Sequence, residues 1–286
     1  MTALNRPVPE APANRTGGMG FRTLLVGATG TGKTYSLRTL VECGLTPMII
    51  STEPGIEANL GDIDPTKCHW KYIPPAVAGW DQMLSNAKKI NTMSYEVLSK
   101  LGDIDRAKYG QFLEVVSACA DFVCDRTGES FGMCDDWGTD RVLVVDSLSG
   151  VSKMAMDLVT GAKPTKSLPD WGVAMDNLER LIDRWTMGVP CHFVMTAHLE
   201  REKDEITGAI KNMPSTLGQK LSPKIPRYFD DAIMCKRAGD KFTWSTADTN
   251  TDLKSRNLPI AENQIPSFKA IFEAWKKSGG VVTATA

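Results

Sequence analysis

The segment "VGATGTGKTYS", residues 26–36, constrains this chain more than any other, because it fits the pattern G-x-x-x-x-G-K-[ST] from Gly27 to Thr34. It lies between a short apolar run, "RTLLVGA", and a helical pattern, "KTYSLRTLVECG", with Gly44 at its C-terminal stop. A glycine-rich turn from a buried strand into a helix curls several backbone N–H groups inward and adds the partial positive charge of the helix start. That arrangement cradles phosphates, and this strand–turn–helix context is what makes the motif specific. Gly27, Ala28, Thr29, Gly30, Thr31, Gly32, Lys33, Thr34 and Tyr35 are therefore the expected phosphate-loop residues. Lys33 has the reach for the β- and γ-phosphates of a nucleoside triphosphate, and the Thr34 hydroxyl can ligate Mg2+.

The remaining pattern alternates strands with helices. "TPMIIS" reads as a second buried strand, "WKYIPP" as a short third, and "RVLVVDS" and "CHFVMTAH" as apolar runs buried on both faces. From Trp80 to about Arg126 the period turns helical, with Tyr109, Phe112, Val116, Cys119 and Val123 along one face. "SGVSKMAMDLV" and "SLPDWGVAMDNLERLIDRW" predict two further helices, the second with Trp171, Met175, Leu178, Ile182 and Trp185 on its inner stripe. "DAIMCKR" and "DKFTWST" predict antiparallel strands around the turn "AGD". The expected fold is α/β: a mostly parallel sheet flanked by helices, with antiparallel strands at the C-terminal edge. One domain is expected over residues 20–278, with a helical insertion at about 80–127. The Pro-, Ala- and Gly-rich segment 1–19 and the segment 279–286 are expected to be flexible tails.

Phosphate chemistry needs more than a cradle. Asp146 ends the strand "VVDS", where a carboxylate beside the phosphate loop can hold a Mg2+-bound water. Hydrolysis also requires a group that orients water against the γ-phosphate. Ser147, not a glutamate, follows Asp146, so the base must come from elsewhere. "IISTEPG" offers Glu53, directly after the second buried strand and so at the same carboxyl edge of the sheet, where open α/β sheets bind ligands.

The succession of phosphate loop, "STE", "VVDS" and "TAH" resembles the RecA/RadA/DnaB family of ATPases. More narrowly, "VLVVDSLSGVSK" with "TAHLEREKDEITG…MPSTLGQKLSPKIPRYFDDAIMCKR" resembles phage-encoded nucleotide-binding ATPases, including the RecA-like annealing ATPases of the fourth Sak group. The likeness spans roughly Phe21 to Lys277, although only the phosphate loop is specific in isolation. It implies a RecA-like core that binds ATP with Mg2+, with Glu53 activating water and His198 sensing the γ-phosphate. It also implies a basic pair donated across a subunit interface, for which "LKSRN" supplies Lys254 and Arg256, and hence a ring or filament. Two loops would meet single-stranded DNA, one carrying Lys163 and Lys166, the other Lys211 and Lys220. The second loop also carries Glu202, Asp204 and Glu205, which departs from a simple basic DNA loop, and neither loop offers an exposed aromatic platform. The turn "TG" between "DEI" and "AIK" predicts that part of this loop is a hairpin.

Composition bounds the alternatives. Charged residues are 23% and the formal net charge is −1, so a nucleic-acid surface must be a local patch. Seven cysteines, an odd number with no C-x-x-C pair, suit reduced thiols in a cytoplasmic protein and not a zinc site. No run of about 18 apolar residues predicts a membrane span, and the opening lacks the apolar core of a signal peptide. No N-K-x-D base reader of a GTPase is present, and the arginines after Asp146 are too scattered for a kinase lid. A role in single-stranded DNA recombination or annealing is the expectation. A nucleotide-dependent assembly or regulatory ATPase, or a packaging or helicase-type motor, stays open beside it.

Overall fold

The computed structural model describes residues 19–101, 106–203 and 210–285. Short apolar runs form the centre of an eight-stranded sheet because a strand covered on both faces needs no polar alternation. The strands are β1 (Arg22–Gly27), β2 (Thr46–Ser51), β3 (His69–Tyr72), β4 (Arg141–Asp146), β5 (His192–Lys203), β6 (Ile210–Pro214), β7 (Asp231–Ala238) and β8 (Lys241–Ser245). Their order is β3-β2-β4-β5-β1-β7-β8, with β6 paired to the far half of β5. Six strands are parallel; β8 returns antiparallel beside β7, and β6 returns antiparallel beside β5. The expected fold class holds, including the turn after Ala238, where Gly239 takes the positive φ that a tight hairpin demands.

The helices are α1 (Lys33–Ser36), α2 (Arg38–Glu42), α3 (Ile56–Leu60), α4 (Trp80–Thr92), α5 (Tyr95–Lys100), α6 (Gln111–Ala120), α7 (Leu148–Thr160), α8 (Leu168–Asp183), α9 (Gly218–Leu221) and α10 (Lys269–Lys277). Successive strand side chains face opposite sides, which divides the apolar residues into two cores. Leu24, Met48, Leu143 and Phe193 pack under α6, α7 and α8, whereas Leu25, Ile49, Val144 and Val194 pack under α2, α3 and α10. The inner stripe of α8 is as read, with Leu178 and Ile182 buried and Trp171 and Met175 packed at its margin.

Two expectations are corrected. In α6 the buried residues are Phe112, Val115 and Ala118, continued by Phe122, while Val116 and Val123 are exposed. Both rows satisfy helical spacing, and the helix stops at an extended Asp121 before Val123 can join its face. The C-terminal segment is also docked, not frayed. Asp140 N–H donates to the Thr283 carbonyl at 3.1 Å, and the Thr139 hydroxyl donates to the Val281 carbonyl at 2.8 Å. Threonines there satisfy backbone groups just before β4 that would otherwise lack partners. The N-terminal tail lies outside the described residues, apart from Met19, whose carbonyl accepts from the Trp275 indole. Among the described residues no helix is long and apolar enough to cross a membrane.

Candidate nucleotide site

Parallel strands deliver their following loops to one edge of the sheet. Gly27 lies level with His198, and Ser51 level with Asp146, so the segments after β1, β2, β4 and the parallel half of β5 converge. The phosphate loop holds its shape by local constraints. Gly30 and Gly32 have φ of 76° and 81°, a region that costs glycine little and other residues much. A Cβ on Gly27 would sit 2.7 Å from both the Cys235 carbonyl oxygen and Thr31 Oγ1. The Thr31 hydroxyl donates to the Ala28 carbonyl at 2.8 Å.

Lys33 is buried, and its Nζ donates to the carbonyls of Gly27 at 2.8 Å and Ala28 at 2.9 Å, which places the ammonium inside the loop's curve. Burial lowers its pKa, opposed by the neighbouring Cys235, Asp146 and Glu53. Asp146 is buried: Thr34 Oγ1 donates to its Oδ2 at 2.7 Å, and the Thr196 hydroxyl donates to its other oxygen. Burial pushes the Asp146 carboxyl up, against the pull of these two hydrogen bonds and of Lys33. A carboxylate so desolvated gains from a cation. Among the described residues no group of three or more His, Cys, Asp or Glu could hold a metal by itself. The pairing of Thr34 and Asp146 instead fits Mg2+, which takes one or two protein oxygens and completes its shell with phosphates and water.

Glu53 follows β2 and is joined to His198 at 2.8 Å, Oε1 to Nε2, while the Ser147 hydroxyl donates to the same Oε1. A carboxylate only accepts, so Nε2 carries the proton of the histidine bond. Burial pushes Glu53 up, but the His198 and Ser147 bonds, with the charges of His198 and Lys33, outweigh it and hold the carboxyl below its usual range. The result is an ionised carboxylate on the wall of a cleft of about 170 Å³ lined also by Lys33, Thr34, Asp146 and the glycine turn. Thr52 braces it: its Oγ1 accepts from the Ser147 N–H at 2.9 Å, and its own N–H donates to the Asp146 carbonyl at 2.6 Å. Tyr35 lines the cleft with Arg38 stacked on its ring at 4.0 Å.

Sequence reasoning missed several participants. In the sequence Ser147 signals only that no acid follows Asp146, and Thr196 carries no signal beyond the strand alternation that aims it at Asp146. Asn59, from α3, also lines the cleft. Phe242, on β8, approaches so closely that a Cβ on Gly32 would lie 3.0 Å from its ring. The β7–β8 hairpin therefore packs directly on the phosphate loop.

Lys254 and Arg256 are not part of this cleft. Lys254 pairs with Ala232, which lies level with Leu24, about 10 Å along the strand from Gly27. Its Nζ donates to the Phe229 carbonyl at 2.6 Å, and Arg256 is ion-paired with Asp230 at 2.8 Å. The two sit toward the opposite edge of the sheet, so they do not complete their own chain's cleft. The four lysines assigned to DNA are dispersed. Lys163 is ion-paired with Asp170 at 2.9 Å, within the box that caps α8, and Lys211 with Asp252 at 2.6 Å. Lys166 is exposed with its Nζ 5.6 Å from the centre of the Trp171 ring, and Lys220 is exposed on α9. A cleft of about 350 Å³ lies between the start of α8 and the β5–β6 hairpin, lined by Trp171, Arg201, Glu200 and Glu202, and none of the four lysines lines it. The pairing of Lys203 with Ile210 shows the hairpin that the sequence suggests; its turn lies outside the described residues, with Asp204 and Glu205.

The sequence matches the AAA domain family over residues 19–256. This chain belongs to that family. The AAA match and the phosphate-loop geometry agree on a P-loop ATPase-type domain. No curated protein matches the sequence. Among solved structures it is similar to an ATPase from the type III secretion system of pathogenic bacteria, at 13% identity and a TM-score of 0.40, over 77% of this chain and 53% of the other. The chain thus spans about half the length of that ATPase.

Proposed function

We propose that this AAA-family chain hydrolyses ATP with Mg2+ and couples turnover to single-stranded DNA, in recombination or strand annealing of the phage type that its motifs resemble. One observation carries the coupling. Glu53 is hydrogen-bonded to His198, and the strand that ends its parallel run at His198 continues directly into the hairpin that walls the second cleft. A displacement of that hairpin therefore moves the histidine that orients the base. Glu53 takes a proton from the attacking water, Lys33 offsets charge on the phosphates, and the Thr34 and Asp146 oxygens would hold Mg2+. The cation, when bound, draws charge from the β- and γ-phosphate oxygens. Lys254 and Arg256, excluded from their own cleft, are assigned to a neighbour's site in a ring or filament. Arg201 and Trp171, which line the second cleft, meet a DNA phosphate and a base, and Lys166, whose Nζ is 5.6 Å from the centre of the Trp171 ring, meets a further phosphate.

The pairing of Lys163 and Lys211 with acids favours a second reading, in which the ATPase drives assembly and binds no DNA. Rates of ATP hydrolysis with and without single-stranded DNA, together with the particle mass in ATP, separate the two. Stimulation of turnover and an ATP-dependent rise in mass support the first. A mass rise without stimulation, and no DNA affinity at low salt in a slowly hydrolysed analogue, supports the second.

A further inference from the structure

Helix α4 is built inside out. Its polar residues Gln82, Asn86 and Lys89 face the protein, with Gln82 donating to the Tyr109 hydroxyl at 3.3 Å, and none of its residues is buried. Trp80, Met83, Leu84 and Ile90, which share the other face at spacings of three, four and seven, stand in solvent, Trp80 at 85% exposure. An amphipathic helix normally turns that stripe inward. Beside it, beginning at Gly110, an open groove of about 630 Å³ runs between α6 and α8, walled by Leu113, Leu158 and Val173. Leu113 and Val173 are themselves exposed, and Leu168 stands at the groove's end at 88% exposure.

We infer that this face is an interface between two copies of the chain, in which the apolar row of α4 from each copy fills the α6–α8 groove of the other. Helix and groove adjoin, since Gln82 of α4 bonds Tyr109 and the groove begins at Gly110, so a two-fold axis between them would make both contacts at once, as a self-complementary patch requires. Together they offer roughly 1,000 Å² of surface per copy, against about 800 Å² per partner in a stable specific interface. Monomers seldom expose a contiguous apolar patch beyond a few hundred Å². The helix-in-groove geometry supplies the register, since anchors at Trp80, Met83, Leu84 and Ile90 follow helical spacing. Neither element lines the phosphate cleft, so this association does not depend on nucleotide and is separate from the ring or filament proposed above.

Sedimentation of the full chain at micromolar concentration without nucleotide tests it. The wild type is expected as a dimer, and Trp80→Glu and Val173→Asp, both on exposed positions, as monomers that keep wild-type ATP affinity. Mixing the two variants is expected to restore part of the dimer, because one helix–groove contact is then intact; Met83→Lys stands in should Trp80→Glu misfold. A wild type that stays monomeric at tens of micromolar, or variants that remain dimeric, overturns the inference. So does a mixture with no recovery. Co-sedimentation of a monomeric wild type with anionic lipid vesicles, lost in Trp80→Glu, would give the helix to a membrane surface instead.

Discussion

Gly150→Ala sets two physical effects against each other in α7. Alanine is the better helix former by about 1 kcal/mol, so propensity alone predicts stabilisation. A Cβ on Gly150, however, would lie 2.1 Å from Thr52 Oγ1 and 2.6 Å from Thr52 Cβ. No real contact is that short, so Thr52 must shift, at an overpacking cost of about 1–3 kcal/mol. The shift also breaks the Ser147 N–H to Thr52 Oγ1 bond of 2.9 Å, worth about 1 kcal/mol net. The balance is a loss of about 2 kcal/mol, or a fall in Tm of about 4–8 °C for a domain of this size. Gly172 on α8 is the control, because a Cβ there meets nothing within 4 Å. Gly172→Ala should raise Tm by about 2–4 °C. Thr52 adjoins Glu53, so Gly150→Ala should also slow ATP turnover by about tenfold or more through misplacement of the base. Thermal unfolding by circular dichroism reads the first effect and a phosphate-release assay the second. A rise in Tm for Gly150→Ala equal to that of Gly172→Ala would refute the reasoning, because Thr52 would then not constrain α7.

Gly32→Ala should abolish tight ATP binding in calorimetry, since its φ of 81° disfavours any Cβ and Phe242 stands 3.0 Å from where one would go. Because Glu53 is held below its usual range, its ionised form stabilises the fold above the unfolded-state value, and that contribution is lost as pH falls through the folded value. Wild-type turnover should accordingly persist into the acid range, and Ser147→Ala should move the acid limb of the kcat profile upward; an unmoved limb contradicts the Ser147 assignment. Lys254→Ala and Arg256→Ala should impair turnover while ATP affinity is kept, and mixing either with Glu53→Gln protein should restore part of the activity. No rescue, with full activity in a proven monomer, removes the cross-subunit role.

The phosphate loop and the strands around it were legible because their signals are local. Glycines at fixed spacing, and unbroken apolar runs such as "LLV" and "VLVV", mean the same in any fold. Asp146 and Glu53 were placed correctly at the carboxyl edge because parallel strands must end there together. What Ser147 and Thr196 do was hidden, because a hydroxyl's partner depends on register between strands distant in sequence. The α6 face was misread by one position, since two rows of apolar residues both fit a 3.6 period over three turns. Lys163 reads as a free cation because its acid, Asp170, is the third residue of the next helix, where it closes the capping box with Ser167. The docked C-terminus was invisible for a related reason: threonines carry no apolar signal, yet their hydroxyls and backbone reach Gly138–Asp140.

The role of Glu53 is the centre of this account, and single-turnover hydrolysis by Glu53→Gln measures it most directly. The amide keeps the size of the side chain and a bond to His198 but is no base. With ATP shown to be bound at wild-type affinity, the hydrolysis rate is expected to be lower by about 100-fold or more, the usual contribution of a positioned base. Hydrolysis by the ATP-loaded variant at the wild-type rate would contradict it, and the Glu53–Ser147–His198 cluster would then be structural support for the phosphate loop.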